Sequence, residues 1–297
     1  IFSLTDDALA IKAQSVNLFA EVEPQQKERL IRALRAKGNV VGYLGDGIND
    51  APALKAADVG ISVDSAVDVA KEAADIVLME KNLEVLKNGI LDGRRTYLNT
   101  LQYIFITTSA NFGNMFSLAG ISLFLPWLPL LPTQILLLNF LSDIPALTIA
   151  SDNVDEEQLA RPKHWDIGLI RRFMVVFGIQ SSLFDYLTFA CLLLVFKAGE
   201  KTFQTGWFLE SVMTEVLALL IIRTVRPALK SRPSPWLLWT SVAIVAVTLA
   251  LPYLPIGSRL GLQPLPLPLL GFMIGIAVLY GFLVETTKQR FFKKASI

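Results

Sequence analysis

Sulfur and imidazole are almost absent from this 297-residue chain, which has one cysteine, Cys191, and one histidine, His164. A single thiol cannot close an internal disulfide. The two residues together supply too few S and N ligands for a zinc cluster or a soft-metal thiolate site, so any metal held by this chain is held by oxygen. Charge is scarce as well: Asp, Glu, Lys and Arg make up 18% of the residues and the net charge is +1, which excludes nucleic-acid binding by bulk positive charge. The first residue is Ile1 rather than Met, and no basic, apolar, small-residue leader opens the chain, so it reads as part of something longer. What is abundant is apolar surface, with 53% hydrophobic residues and a mean hydropathy of +0.50. That composition excludes disorder and an ordinary soluble enzyme.

The charge is unevenly spread. Residues 1–95 carry 27 of the 53 charged residues, and none occurs from Thr96 to Ser142. The first third alternates in an α/β manner. Ser15–Ala20, Val40–Leu44, Val59–Val63 and Ile76–Met79 have strand length. A helix starting at Pro24, with Leu30, Ile31 and Leu34 on one face, is stopped by Gly38, and further helices start near Asp50 and over VDVAKEAA. Strands alternating with helices predict a mainly parallel sheet.

Beyond Arg95 the chain reads as membrane helices. One crossing takes roughly 20 apolar residues. The uncharged stretch, broken by Pro126, Pro129 and Pro132, therefore predicts two spans and a hairpin, and six spans are expected in all, at about 96–125, 130–150, 169–196, 206–224, 235–255 and 267–286. The domains predicted are thus a head, 1–95, and a transmembrane domain, 96–297. With the head cytosolic, twelve Lys/Arg fall on the cytosolic side, among them Arg161, Lys163, Arg171, Arg172, Arg223, Lys288 and Lys294; the other side has only Lys197, Lys201 and Arg259. That asymmetry predicts both ends in the cytosol. Trp127, Trp207, Trp236 and Tyr253 lie near proposed span ends, where amphipathic rings favour the interface.

The most specific local signal is Gly45-Asp46-Gly47-Ile48-Asn49-Asp50-Ala51-Pro52-Ala53-Leu54, between a strand and a helix. It sets two carboxylates four residues apart around a turn at the C-terminal edge of a parallel sheet, where ligands bind. Two carboxylates and an amide beside a helix start suit a hard divalent cation with a phosphate, and Gly45 and Gly47 let a backbone approach closely. Turn and cap residues would use the same aspartates, and Lys27 by itself is a solvated lysine on an amphipathic helix.

The strings FAEVEPQQKERLIRALRAKGNVVGYLGDGINDAPALKAADVGISV and DVAKEAADIVL, over residues 17–95, resemble the phosphorylation domain of P-type ATPases, within the haloacid-dehalogenase-like superfamily. The resemblance implies a partial Rossmann-like α/β head joined to an all-α six-helix transmembrane bundle. It implies that Asp46 and Asp50 hold the catalytic Mg2+, that Asn49 contacts the phosphate, and that Lys27 neutralises charge on an aspartyl phosphate. The family's Asp-Lys-Thr-Gly-Thr nucleophile motif does not occur here, and Asp6-Asp7 is no substitute. Its nucleotide-binding domain, which takes most of the ATP contacts, its dephosphorylation loop and its first four spans are also missing, so the fragment alone is expected to be inactive and to work with the N-terminal part of the same pump.

In the membrane half, an intramembrane carboxylate costs roughly 2.5–3.5 kcal/mol on insertion scales and is a functional candidate for that reason. Asp143 closes the uncharged stretch, with Asn139 at i−4 and Ser142 beside it, and Pro145 can free nearby carbonyls. The preceding span offers Asn111 and Asn114. Two facing helices could supply amide, hydroxyl and carboxylate oxygens to a hard cation; each Asn could equally be interhelical glue. Asp185, Glu210 and Glu215 are further acid candidates, of which Asp185 and Glu210 could instead pair with Arg171, Arg172 or a backbone donor. SANFGN, KHWDIGLIRRFMVVFGIQSSLFDYLTF and FQTGWFLE are similar to the bacterial magnesium-translocating branch, which implies Mg2+ transport in a bacterial inner membrane. Calcium or proton transport, a membrane-tethered phosphatase, and a passive channel with a regulatory head are the alternatives. Partners expected are membrane lipid and the transported cation, with no nucleic acid. Residues 83–120 read as nearly continuous helix, about 55 Å long at 1.5 Å per residue, with Gly89 and Gly93 as weak points.

Overall fold

The computed structural model describes residues 4–80, 82–160 and 165–295. Ile1, Arg161, Lys163, His164 and the Lys294 side chain lie outside the described residues. The chain divides into two compact units, residues 1–91 and 92–297, with the boundary inside one long helix rather than at residue 95.

The first unit begins with α1 (Asp6–Ala13), followed by α2 (Pro24–Ala36), β1 (Gly42–Leu44), a 3-10 turn at Ile48–Asp50, α3 (Ala51–Ala56), β2 (Val59–Val63), α4 (Asp68–Ala73) and β3 (Ile76–Leu78). The strands are parallel in the order β1-β2-β3, with Leu44 opposite Ile61 and Val63 opposite Leu78. α2 starts where Pro24 fixes the helical φ and Gln26 Oε1 accepts from the Glu23 N–H at 3.3 Å; Ile31 on its inner face is buried against α3. α1 carries no amphipathic signal strong enough to announce it. It forms because Thr5 Oγ1 caps the Ala8 N–H and because Leu9 and Ala10 pack on Ala33 of α2. The strand expected at Ser15–Ala20 is not formed. A strand needs a ladder partner, and among the described residues this segment has none, leaving Leu18 83% exposed.

The second unit is a helical bundle. α5 (Leu83–Ile121) starts in the first unit and runs unbroken through Gly89 and Gly93; it is followed by α6 (Pro132–Leu147), α7 (Glu156–Leu159), α8 (Ile167–Ala190), α9 (Glu200–Ile222), α10 (Pro235–Ala250), α11 (Pro255–Arg259) and α12 (Leu267–Ala295). Among the described residues five segments are long and apolar enough to cross a membrane: Pro132–Ser151, Ile167–Val195, Glu200–Ile222, Pro235–Tyr253 and Leu267–Lys293. The span expected at 96–125 is the later part of α5. It is helical to Ile121, but Gln102, Asn111 and Asn114 make it too polar to join the other five.

α9 is the central helix, with 83% of its apolar window buried against 33–39% for the other four. It begins at Glu200, earlier than expected, so Trp207 is not interfacial but 1% exposed inside the bundle. α5 and α8 cross at backbone contact. A Cβ on Gly178 would lie 2.5 Å from a Phe112 ring carbon and 3.1 Å from the Ser109 carbonyl, and Ser182 Oγ donates to the Gly113 carbonyl at 3.0 Å. Two basic residues counted by sequence among the cytosolic connections are buried. Arg223, 1% exposed, donates to Asp152 Oδ2 at 2.9 Å and to the Ser231 carbonyl, and Lys288, fully buried, donates to the carbonyls of Ile221 and Arg226 and to Glu285.

Candidate functional site

β1 delivers its last residues into a turn that Asp50 organises. The Asp50 carboxylate, 8% exposed, accepts from four donors: Lys27 Nζ at 2.7 Å and Tyr43 OH at 2.7 Å on Oδ1, and the N–H groups of Asp46 (3.3 Å) and Gly47 (3.2 Å) on Oδ2. Burial pushes this carboxyl up, but the Lys27, Tyr43 and Gly47 bonds outweigh it and hold the group below its ordinary value. Tyr43 moves the other way, raised by burial and by the neighbouring Asp50 charge. Gly45 has no room for a side chain, since a Cβ would lie 2.6 Å from Asp50 Cβ. Ser62 Oγ on β2 holds the Gly45 carbonyl at 2.9 Å, and the Val67 N–H holds the Asp46 carbonyl at 3.1 Å.

The two aspartates are therefore unequal. Asp50 is engaged on both oxygens, whereas the Asp46 and Asn49 side chains are exposed at the strand edge. Lys27 reaches this turn through Asp50. Among the described residues no group of three or more His, Cys, Asp or Glu side chains forms a metal cluster.

In the bundle, Asn111 of α5, Asn139, Ser142 and Asp143 of α6 and Glu215 of α9 line one cavity of about 150 Å3. Asn111, Asn139 and Asp143 are exposed, so the cavity opens on the bundle surface. Ser142 Oγ donates to the Leu138 carbonyl at 3.0 Å, which leaves its lone pairs available. Asn114 is not in this cavity; its Nδ2 donates to Glu215 Oε1 at 2.6 Å from behind, and it lines a smaller cavity of about 60 Å3 with Asn111 and Asn139. Glu215 carries no motif in the sequence. Only the pairing of α9 with α5 and α6 brings it to the asparagines.

Asp185 and Glu210 do not join the large cavity, nor do they pair with Arg171 or Arg172, both of which are exposed. They lie together inside the bundle, where Asp185 accepts from Ser117 Oγ at 2.5 Å and from Trp207 Nε1 at 3.0 Å.

A family described as cation transporting ATPase, C-terminus, matches residues 127–290. The chain belongs to this family. Residues 3–58 also match the family described as haloacid dehalogenase-like hydrolase. Among curated proteins, the magnesium-transporting ATPase, P-type 1, of Salmonella typhimurium is 47% identical over 97% of this chain and 32% of its own length, and the protein of that name from Escherichia coli is 47% identical over 97% of this chain and 33% of its own length. A calcium-transporting ATPase 1 of Bacillus cereus is 37% identical over 69% of this chain and 23% of its own length. The chain thus spans about a third of the length of the two magnesium-transporting relatives. The helices long and apolar enough to cross a membrane, together with the family, make it an integral membrane chain.

Proposed function

We propose that this chain is the C-terminal third of an ATP-driven P-type pump that moves a hard cation, Mg2+ by preference, across a bacterial inner membrane. The observation that carries this reading is the single cavity in which Asn111, Asn139, Ser142, Asp143 and Glu215 converge. Amide, hydroxyl and carboxylate oxygens at one point suit a hard cation, and two carboxylates offset a divalent charge. The higher identity and fuller coverage of the proteins named as magnesium-transporting support Mg2+ over Ca2+. The Lys/Arg asymmetry between connections supports a cytosolic head and cytosolic ends.

In the head, the exposed oxygens of Asp46 and Asn49 fit a catalytic Mg2+ whose remaining ligands come from phosphate, water and residues outside this chain. When bound, that ion would neutralise phosphate charge and orient the reacting group. Asp50 holds the turn: its Oδ2 collects the Asp46 and Gly47 N–H groups, which fixes the backbone from which the Asp46 side chain projects, and its Oδ1 holds Lys27 at the same edge. Lys27 so placed supplies positive charge where a phosphoryl group would sit. ATP would phosphorylate an Asp outside this chain.

The deciding experiment uses the full-length protein in lipid vesicles and compares wild type with Asp143→Asn. ATP-dependent cation uptake and cation-stimulated hydrolysis should both be lost in the variant. Hydrolysis indifferent to Asp143→Asn, with no uptake by the wild type, would instead identify a membrane-tethered phosphatase, and flux without ATP a passive channel. Stimulation by Ca2+ alone, or uptake of protons alone, would overturn Mg2+ as the substrate.

A further inference from the structure

We propose that Tyr43 is a positioning residue of the head turn: its hydroxyl keeps Asp50 engaged, so that Asp46 is the one carboxylate of the turn offered to the catalytic ion and Mg2+ is favoured there over Ca2+. The proposal rests on the reading of Asp46 and Asn49 given above and deepens it.

An ionised carboxylate has about four lone-pair positions. Those of Asp50 are all taken: Lys27 Nζ and Tyr43 OH donate to Oδ1, each at 2.7 Å, and the Asp46 and Gly47 N–H groups donate to Oδ2 at 3.3 and 3.2 Å. The two short bonds on Oδ1 differ in kind. The Lys27 side chain is 33% exposed and ends a flexible four-carbon stem, so its ammonium can turn toward a phosphoryl group. Tyr43 turns about only two torsions, and its ring packs against both core clusters beside the turn, one built on Leu54 and Ala70 and the other on Ile31 and Ala53.

The strand sets the direction of that ring. In β1, Tyr43 is half-buried between exposed Gly42 and Leu44, and it stands opposite Gly60 of β2. Gly45 then lets the turn lie against both side chains, since a Cβ there would meet Asp50 Cβ at 2.6 Å and a Tyr43 ring carbon at 3.0 Å. Tyr43 lies two residues before the glycine-aspartate string, and nothing in the string marks it.

Without the hydroxyl, Oδ1 keeps Lys27 alone and has a free lone pair on the same turn as Asp46. The number of carboxylate oxygens is what separates the two ions. Mg2+ sites use a tight octahedron with retained water, phosphate and one or two carboxylates, whereas Ca2+ sites use about six to eight oxygens in looser geometry and tighten with ligand charge. A second carboxylate at this turn therefore favours Ca2+ more than Mg2+.

The test uses the full-length protein in lipid, without ATP, in an Asp143→Asn background that takes a charge from the membrane cavity. Tyr43→Phe keeps the ring and its packing and loses only the hydroxyl. It should bind radioactive Ca2+ at least about tenfold more tightly than its parent, within the range over which ligand charge tunes Ca2+ sites, with Mg2+ binding changed much less. With carboxyl-13C aspartate, the infrared difference spectrum on adding Ca2+ should show one more perturbed aspartate carboxylate in Tyr43→Phe than in its parent. A hydroxyl with only a structural role would weaken the binding of both ions alike and add no band, and that result would overturn the proposal. Unchanged Ca2+ binding, or tighter binding without the added band, would overturn it as well. Should Asp46→Asn leave Mg2+ binding unchanged, the head reading itself fails, and this proposal with it.

Discussion

Asn114 Nδ2 donates to Glu215 Oε1 across 2.6 Å, joining α5 to α9 between residues 101 positions apart in the chain. The bond orients the Glu215 carboxylate and leaves its other oxygen for the cavity that also holds Asp143. Glu215→Gln keeps an acceptor for Asn114 and removes only the charge. The full-length variant should fold as the wild type does and need at least about tenfold more cation for half-maximal uptake, equivalent to roughly 1.4 kcal/mol. An unchanged half-maximal concentration would remove Glu215 from the site.

Lys27 and Asp50 form a pair whose effect on stability depends on pH. The Asp50 carboxyl is held below its ordinary value, so its contribution is complete above the unfolded-state value, about 3.9. It is lost as the pH falls through the lower folded-state value. In Lys27→Met the raising effect of burial remains while one of the lowering bonds is gone. The acid loss of head stability should therefore begin at higher pH than in the wild type. Thermal unfolding of the head, followed from about pH 3 to 7, reads the shift, and superimposable profiles would contradict it.

Gly45→Ala tests the turn itself. The new Cβ would lie 2.6 Å from Asp50 Cβ and 3.0 Å from the Tyr43 ring, so Asp50 must move off its four donors. Overpacking of this kind costs about 1–3 kcal/mol. Denaturant unfolding should show it as a lower midpoint, together with slower phosphoenzyme formation in the full-length protein.

Arg223 is a buried structural charge in the bundle. Its side chain is 1% exposed and that of Asp152 0%. Arg223→Ala leaves Asp152 without its counter-ion and should cost about 3–5 kcal/mol. Arg223→Lys should not rescue it, because one ammonium cannot hold both Asp152 and the Ser231 carbonyl as the guanidinium does. In thermal unfolding, the double replacement with Asp152→Ala should be less destabilised than the sum of the two single changes.

Much of the head was legible because its signals are local. Val59–Val63 has the length of a strand and forms β2, Pro24 starts α2, and the glycine-aspartate turn lies between β1 and α3 where its spacing predicts. Ser15–Ala20 has the composition of a strand and is not one, since a ladder is a property of two segments. The membrane spans were legible as apolar length, but the polarity of α5 came from the same asparagines that marked it as functional.

The sequence by itself determined the two materials of the chain, the phosphate-type turn at Gly45–Asp50 and the asparagines and aspartate of α5 and α6, because periodicity and spacing act within one segment. Tertiary structure alone decided that Asp50 organises the turn while Asp46 faces outward. It also decided that Glu215 joins the cavity and that Asp185 meets Ser117 and Trp207 instead of an arginine. Each of these depends on which helix faces which. That is fixed by close contacts such as the one at Gly113 and Gly178, between residues whose separation along the chain carries no information about their separation in space.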